Sequence, residues 1–237
     1  MDDDTTSCRL CGEFVLQIPG WTGIVHSYWL LRTTWNPSHQ FFHGPLHFSC
    51  LERWEHREAF RQELAGILTG RGRPITVAAE GGEGAEHTLE QPGLYYGEEL
   101  HRDADCAIHR NTTTDSWLVL TAQASWVTFG PEQLRALGQG DPARVAEGGE
   151  RVALPEDPGP DIESATLPEL LDLLGSRGRY PGMLENGSPD YQFWSYYPRK
   201  RVLEYSVDID LPLPASAVEF LAEYAHAYEP LSFDDSE

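Results

Sequence analysis

Two short stretches carry the residue types that could do chemistry. Cys8-Arg-Leu-Cys11-Gly12 places two thiols three positions apart, and Gly12 supplies the backbone freedom for the sharp turn that lets both sulfurs face one point. His47-Phe-Ser-Cys50 supplies an imidazole and a third thiol. In a helix, residues i and i+3 share a face, so those two side chains can converge as well. Three thiolates and one imidazole are the donor set of a tetrahedral Zn2+ site. Four protein ligands leave no position for water, so such an ion holds a fold and does not hydrolyse a substrate. The competing readings are ordinary burial of the cysteines or a redox pair. A redox CxxC needs a strand-to-helix junction, and residues 1–7 are too short and too acidic to provide the strand. His39 or His43 could replace His47 as the fourth ligand.

Two further groups contain ligand-like residues. His26, His39 and His43 lie among Trp21, Tyr28, Trp29, Trp35, Phe41 and Phe42. They could build a second, catalytic metal site of nuclease type, although no His-Asn-His pattern appears. The plainer reading is surface or hydrogen-bonded histidines beside a small aromatic core. Trp21, Tyr28, Trp29 and Trp35 could equally form a partner-binding patch, since such side chains carry much interface energy. His101, Asp103, Asp105, Cys106 and His109 form the second group, in the pattern H-x-D-x-D-C-x-x-H. Cys106 and His109 could share a metal at i, i+3; a buried cysteine beside an acidic loop is the plainer alternative. No phosphate-binding glycine loop, G-x-S-x-G elbow or HExxH occurs.

The elements that must position the first group are readable. Phe14–Leu16, Ile24–Arg32 and Phe41–Phe42 are apolar enough for short strands, with turns at Pro19-Gly20 and Asn36-Pro37. Gly44-Pro45 predicts the start of a helix that carries His47 and Cys50 and continues through Leu51, Trp54, Phe60, Leu64, Ile67 and Leu68 to Gly70. A knuckle, hairpin-like strands and a helix whose first turn supplies the last two ligands resemble a treble-clef zinc finger. The resemblance covers residues 8 to 68 and implies a structural zinc; treble clefs serve many tasks, so it implies no particular activity.

Beyond residue 70 the glycine-rich run Gly70-Arg-Gly-Arg-Pro74 and the stretch Glu80-Gly-Gly-Glu-Gly-Ala-Glu86 break the apolar pattern. The expected organisation is a zinc module over 1–70, a linker or loop region over 71–110, and an acidic α+β domain over 111–237. In that domain Trp117–Ala122 and Ser125–Phe129 predict strands, and Pro131 opens a helix. Thr166 caps a helix running to Gly175, and Tyr191–Tyr197 with Val202–Asp208 predict a hairpin. A last helix begins at a capping box of Ser216 and Glu219, with Val218, Leu221, Ala222, Ala225 and Tyr228 on one face. Glu147–Asp161 reads as loop. The fold class is α+β.

Charge narrows the function classes. The formal net charge is −21, and residues 1–70 contribute only five arginines against eight acids. Lys200 is the only lysine, an arginine bias similar to that of chains from GC-rich bacterial genomes. An acidic body repels phosphate backbones and attracts basic partners. Arg199-Lys200-Arg201 is too small a run to act as a nucleic-acid footprint. The acidic Met-Asp-Asp-Asp start and the lack of a long apolar run predict a soluble cytoplasmic protein with reduced thiols. The favoured expectation is a zinc-stabilised, non-enzymatic interaction, inhibitor or immunity-type protein that docks on a basic protein partner. The alternative is a metal-dependent hydrolase or nuclease-like enzyme, with its site in the His26/His39/His43 interval or the His101–His109 cluster.

Overall fold

A computed structural model describes residues 7–25, 44–69, 74–78, 86–90, 98–111, 113–153, 166–181, 194–197 and 202–231. It combines helices with antiparallel sheets, an α+β arrangement. Strand β1 (Thr22–Val25) pairs antiparallel with β2 (Gly44–His47), and two helices follow, α1 (Phe48–Glu52) and α2 (Arg57–Thr69). Strands β3 (Pro74–Ala78) and β4 (Glu86–Glu90) form a separate antiparallel pair. The four-stranded sheet runs in chain order through β5 (Glu98–Arg102), β6 (Cys106–Asn111), β7 (Ser116–Thr121) and β8 (Trp126–Phe129). Helix α3 (Pro131–Gly138) comes next, then β9 (Arg144–Ala153), α4 (Leu167–Leu173) and a 3₁₀ turn at Arg177–Arg179. The chain continues through β10 (Trp194–Tyr197), β11 (Val202–Asp210) and α5 (Ala215–Ala227). The last sheet has the order β10-β11-β9.

Strands β7 and β8, helix α3 and the β10–β11 hairpin fall where the apolar pattern predicted them. Helix α4 starts at Thr166 as expected, with the Glu169 carboxylate accepting from both the Thr166 amide and its hydroxyl at 2.8 Å. Other expectations need correction. Gly44-Pro45 begins a strand and not a helix: Gly44 has φ +112, and His47 is extended at φ −82, ψ 132 as the cap before α1. Among the described residues β2 pairs with β1 alone, so a missing N–H at Pro45 costs little, and the Pro45 carbonyl accepts from the Arg9 amide at 3.0 Å. The apolar run from Leu51 to Leu68 is two helices and not one, with the Arg53 and Trp54 amides closing on the carbonyls of Cys50 and Leu51.

Helix α5 begins after Pro214, two residues earlier than the Ser216–Glu219 box required, and no side chain caps it. Its packed face is Ala217 and Leu221 with Phe220, Tyr224, Ala225 and Tyr228; Val218 is exposed. Strand β9 runs through the glycines and acids of 147–153, where loop was expected, because it pairs with β11 from Ala153↔Val202 to Arg144↔Asp210 across a bulge at Tyr205/Val207. The interval 71–110, read from composition as linker or loop, contains β3, β4, β5 and most of β6.

Three clusters form the core. The first joins Cys8, Val15, Val25, Leu46, Phe48, Leu51, Phe60 and Leu64 to Leu118 and Trp126 of the four-stranded sheet. The second joins Phe14, Leu16, Ile18 and Trp21 to α4 and β11. The third lies between that sheet and helices α3 and α5. The first two therefore mix residues from both sides of position 70, so the N-terminal segment shares its packing with the rest of the chain. Gly23 is where the first cluster is tightest: a Cβ there would overlap the indole of Trp126 and lie 2.8 Å from Phe48 Cε1.

Candidate metal centre

The N-terminal knuckle is closed by backbone bonds before any metal is considered. Gly12, at φ +76, donates to Cys8 O at 2.8 Å, and Cys8 donates to Glu13 O at 2.8 Å. The left-handed conformation at Gly12 turns the chain so that Cys8 and Cys11 face the same way. The Arg9 bond to Pro45 O docks this knuckle on β2, and the Phe48 amide, donating to Trp21 O at 2.9 Å, fixes the start of α1. His47 then lies at the strand-to-helix junction and Cys50 in the first turn of α1.

These constraints bring four donor atoms together. The ligand atoms of Cys8, Cys11, His47 and Cys50 all lie within 4.8 Å of one another. His47 Nδ1 is 3.7 Å from Cys11 Sγ and 3.8 Å from Cys50 Sγ, and the His47 amide donates to Cys8 Sγ at 3.5 Å. Metal–sulfur and metal–nitrogen bonds of about 2.3 and 2.0–2.1 Å give a tetrahedron with edges of about 3.5–3.8 Å. The Nδ1–sulfur separations match those edges. All four cysteines of the chain are free thiols. Cys8, His47 and Cys50 are buried, and only Cys11 is half-buried.

The electrostatics point the same way. Burial raises the Cys8 thiol, but hydrogen bonds from the His47 ring and from the amides of His47, Leu10 and Cys11 outweigh it and bring Cys8 down to about 6. Burial, followed by the charge on Cys8, pushes Cys50 up to about 12 and raises Cys11 as well. Without a cation the pocket stabilises one thiolate at the expense of the other two. A divalent ion removes that conflict by lowering all three thiols together.

The centre is supported from a distant stretch of chain. The Tyr180 ring meets the His47 ring edge-on at 5.2 Å, and its hydroxyl accepts from the Leu16 amide at 2.8 Å and donates to Leu16 O at 3.1 Å. Ser49 Oγ donates to Arg179 O at 2.7 Å, tying α1 to the 3₁₀ turn. Nothing in Arg179-Tyr180-Pro181 marks it locally as part of a metal centre; only the packing reveals it. His47 Nε2 is buried and has no hydrogen-bond partner among the described residues, whereas Nδ1 faces the sulfurs.

The remaining candidate residues are placed differently. Trp21, expected on a partner-binding patch, is 7% exposed in the second core cluster, and its indole N–H donates to Pro181 O at 3.1 Å. Tyr28, Trp29 and Trp35 lie outside the described residues, as do His26, His39 and His43. The His101–His109 group does not converge. His101 Nε2 pairs with Asp103 Oδ2 at 3.0 Å and stacks on Phe220. Asp103 Oδ1 accepts from the amides of Asp105 and Cys106 at 2.7 and 2.8 Å. Cys106 and His109 are three apart on a strand, and period-two alternation sends them to opposite faces. Cys106 packs in the third cluster with its sulfur 3.9 Å from Ser216 Oγ, while His109 faces α2. Among the described residues, Cys8, Cys11, His47 and Cys50 are the one group able to hold a metal ion. No family model matches the chain, and searches of curated proteins and of solved structures find no match either.

Proposed function

We propose that Cys8, Cys11, His47 and Cys50 hold one structural Zn2+, and that the protein is a non-enzymatic interaction factor of inhibitor or immunity type that docks on a basic protein. The observation that carries the reading is the donor set: three sulfurs and an imidazole, three of the four side chains buried, with no fifth donor grouped with them among the described residues. The ion would join the knuckle to the start of α1 and supply cohesion, not a reactive water. The treble-clef resemblance suggests the same role.

The docking half of the reading rests on charge. Five arginines of the described residues are held by acids of their own chain: Arg57 by Glu58, Arg102 by Glu99, Arg110 by Asp115, Arg144 by Asp210 and Arg177 by Asp172. Each of those pairs cancels equal and opposite charge, so the excess of acid in the −21 chain remains to set its field. Such a field speeds encounter with basic surfaces and opposes nucleic acid. A pull-down from lysate at low and at raised salt tests the reading. Recovery of a partner with a basic surface, weakening as salt rises, supports it; partners that are neutral or acidic and indifferent to salt contradict it. No helix among the described residues is long and apolar enough to cross a membrane.

A further inference from the structure

Between helix α2 and the face of the four-stranded sheet lies a cavity of about 80 Å³. At about 10–15 Å³ per water-sized group it has room for roughly five to eight non-hydrogen atoms. His109 lines it from β6. The His109 side chain is 4% exposed, and both ring nitrogens are buried without a hydrogen-bond partner among the described residues. The nearest carboxylate, Glu99, stands 3.9 Å from Nε2, beyond hydrogen-bond reach. A buried imidazole with two idle nitrogens carries an uncompensated desolvation cost, and a native fold rarely leaves such a pair idle.

The other polar groups of the cavity define what would satisfy it. Glu99 and Asp103 are already committed. Both Glu99 oxygens accept from Arg102, at 2.6–3.1 Å, and Asp103 accepts from His101 and two backbone amides. Thr121 and Ser125 share a hydroxyl–hydroxyl bond of 2.6 Å, and Thr121 Oγ1 is also 3.3 Å from Ser125 O. Thr121 Oγ1 donates to that carbonyl, so Ser125 Oγ donates to Thr121 Oγ1 and both hydroxyl protons of the pair are used. Arg61, on the α2 wall, makes one ion pair among the described residues, at 3.7 Å to Glu58, so its guanidinium retains donors. The free donors are the Arg61 guanidinium and one imidazole N–H, and the free acceptor is the second imidazole nitrogen. They match an oxyanion with one neighbouring hydroxyl or carboxyl group.

We propose that this cavity binds a small carboxylate carrying a hydroxyl group or a second carboxyl. Its carboxylate is held by Arg61, and its second polar group is read by His109. Burial lowers the His109 pKa, which keeps the ring neutral and gives it one donor and one acceptor for that second group. The inference does not depend on what the Cys8–Cys50 centre holds.

The test is a titration of the intact chain, labelled with ¹⁵N-histidine, with glycolate, lactate and malonate, following the two His109 ring nitrogens. A saturable shift with at least one of the three is expected, at a dissociation constant of about 1 mM for so small a ligand. Arg61→Gln, on a largely exposed side chain, should weaken binding about tenfold without changing the melting temperature. Ala65→Met, which fills the cavity from α2, should abolish the shift, and His109→Leu should raise the melting temperature and remove the further rise that added carboxylate gives the parent chain. No saturable shift with any of the three carboxylates overturns the proposal. So does a shift reproduced by sodium chloride at equal ionic strength, or binding unaltered by both Arg61→Gln and Ala65→Met.

Discussion

Replacing Asp115 by asparagine removes one negative charge while keeping side-chain shape. Asparagine also tolerates the left-handed backbone that Asp115 adopts at φ +51, so the change leaves the backbone unstrained while it removes the charge and turns one of two accepting oxygens into a donor. Asp115 is 4% exposed and accepts from Arg110 at 2.8 and 3.3 Å, from the Tyr228 hydroxyl and from the Leu231 amide at 3.2 Å. Arg110, with a side chain 14% exposed, lies over the rings of Trp117 and Tyr228 at 5.7 and 5.3 Å. The carboxylate thus pins the end of helix α5 and the chain after it to the four-stranded sheet. Breaking a buried ion pair on one side costs about 3–5 kcal/mol. Arg110 keeps the Glu229 carbonyl and the Tyr224 hydroxyl at 3.3 Å, so the lower end, about 3 kcal/mol, applies. For a chain of this size that lowers the melting temperature by about 6–12 °C.

The pH dependence follows from the same contacts. Burial raises the Asp115 carboxyl, but hydrogen bonds from Tyr228 and Arg110 outweigh it and hold it below the usual carboxylate range. A depressed folded pKa means the stabilisation is complete above the unfolded value of about 3.9 and is lost as pH falls through the lower folded value. The gap between wild type and Asp115→Asn, measured by urea denaturation, is therefore expected to stay constant from about pH 5 to 8 and to close below about pH 4. A loss under about 0.5 kcal/mol at neutral pH, or a gap that widens in acid, would refute the reasoning.

Other perturbations read other parts of the fold. Tyr180→Phe deletes the hydroxyl bonded to Leu16; an expected loss of about 1–2 kcal/mol, with metal content unchanged, is measurable by thermal denaturation beside elemental analysis. Gly23→Ala forces a methyl into Trp126 and should cost about 1–3 kcal/mol, with a shift in tryptophan fluorescence as the indole moves. On helix α5, Leu221→Ala should cost about 2–5 kcal/mol while Val218→Asp stays within about 0.5 kcal/mol, a contrast that chemical denaturation can read directly.

Local chemistry was the most legible layer of this sequence. Cys8, Cys11, His47 and Cys50 could be paired from spacing because each pair needs only a turn to converge, and the short elements around them bring the pairs together. The strands of the four-stranded sheet after residue 115 and helix α4 were legible for a related reason: alternation and capping are written within a few residues. What escaped depends on distant partners. Strand β9 exists because β11 pairs with it, against its own glycines, and Gly44-Pro45 extends because β1 lies beside it. The same limit explains Tyr180, whose place beside His47 comes from packing across 133 positions and has no local mark. Cys106 is buried, as the plainer reading of its segment has it, and the i, i+3 spacing that would join it to His109 on a helix sends the two side chains to opposite faces of strand β6.

The account rests on a metal at the N-terminal centre, and X-ray absorption at the zinc edge on freshly purified protein, joined to elemental analysis, tests it most directly. The expected result is one zinc per chain in a shell of three sulfurs at about 2.3 Å and one nitrogen at about 2.0–2.1 Å, with chelation lowering the melting temperature. Protein that carries no metal, keeps the same melting temperature in chelator and binds no added zinc would contradict it.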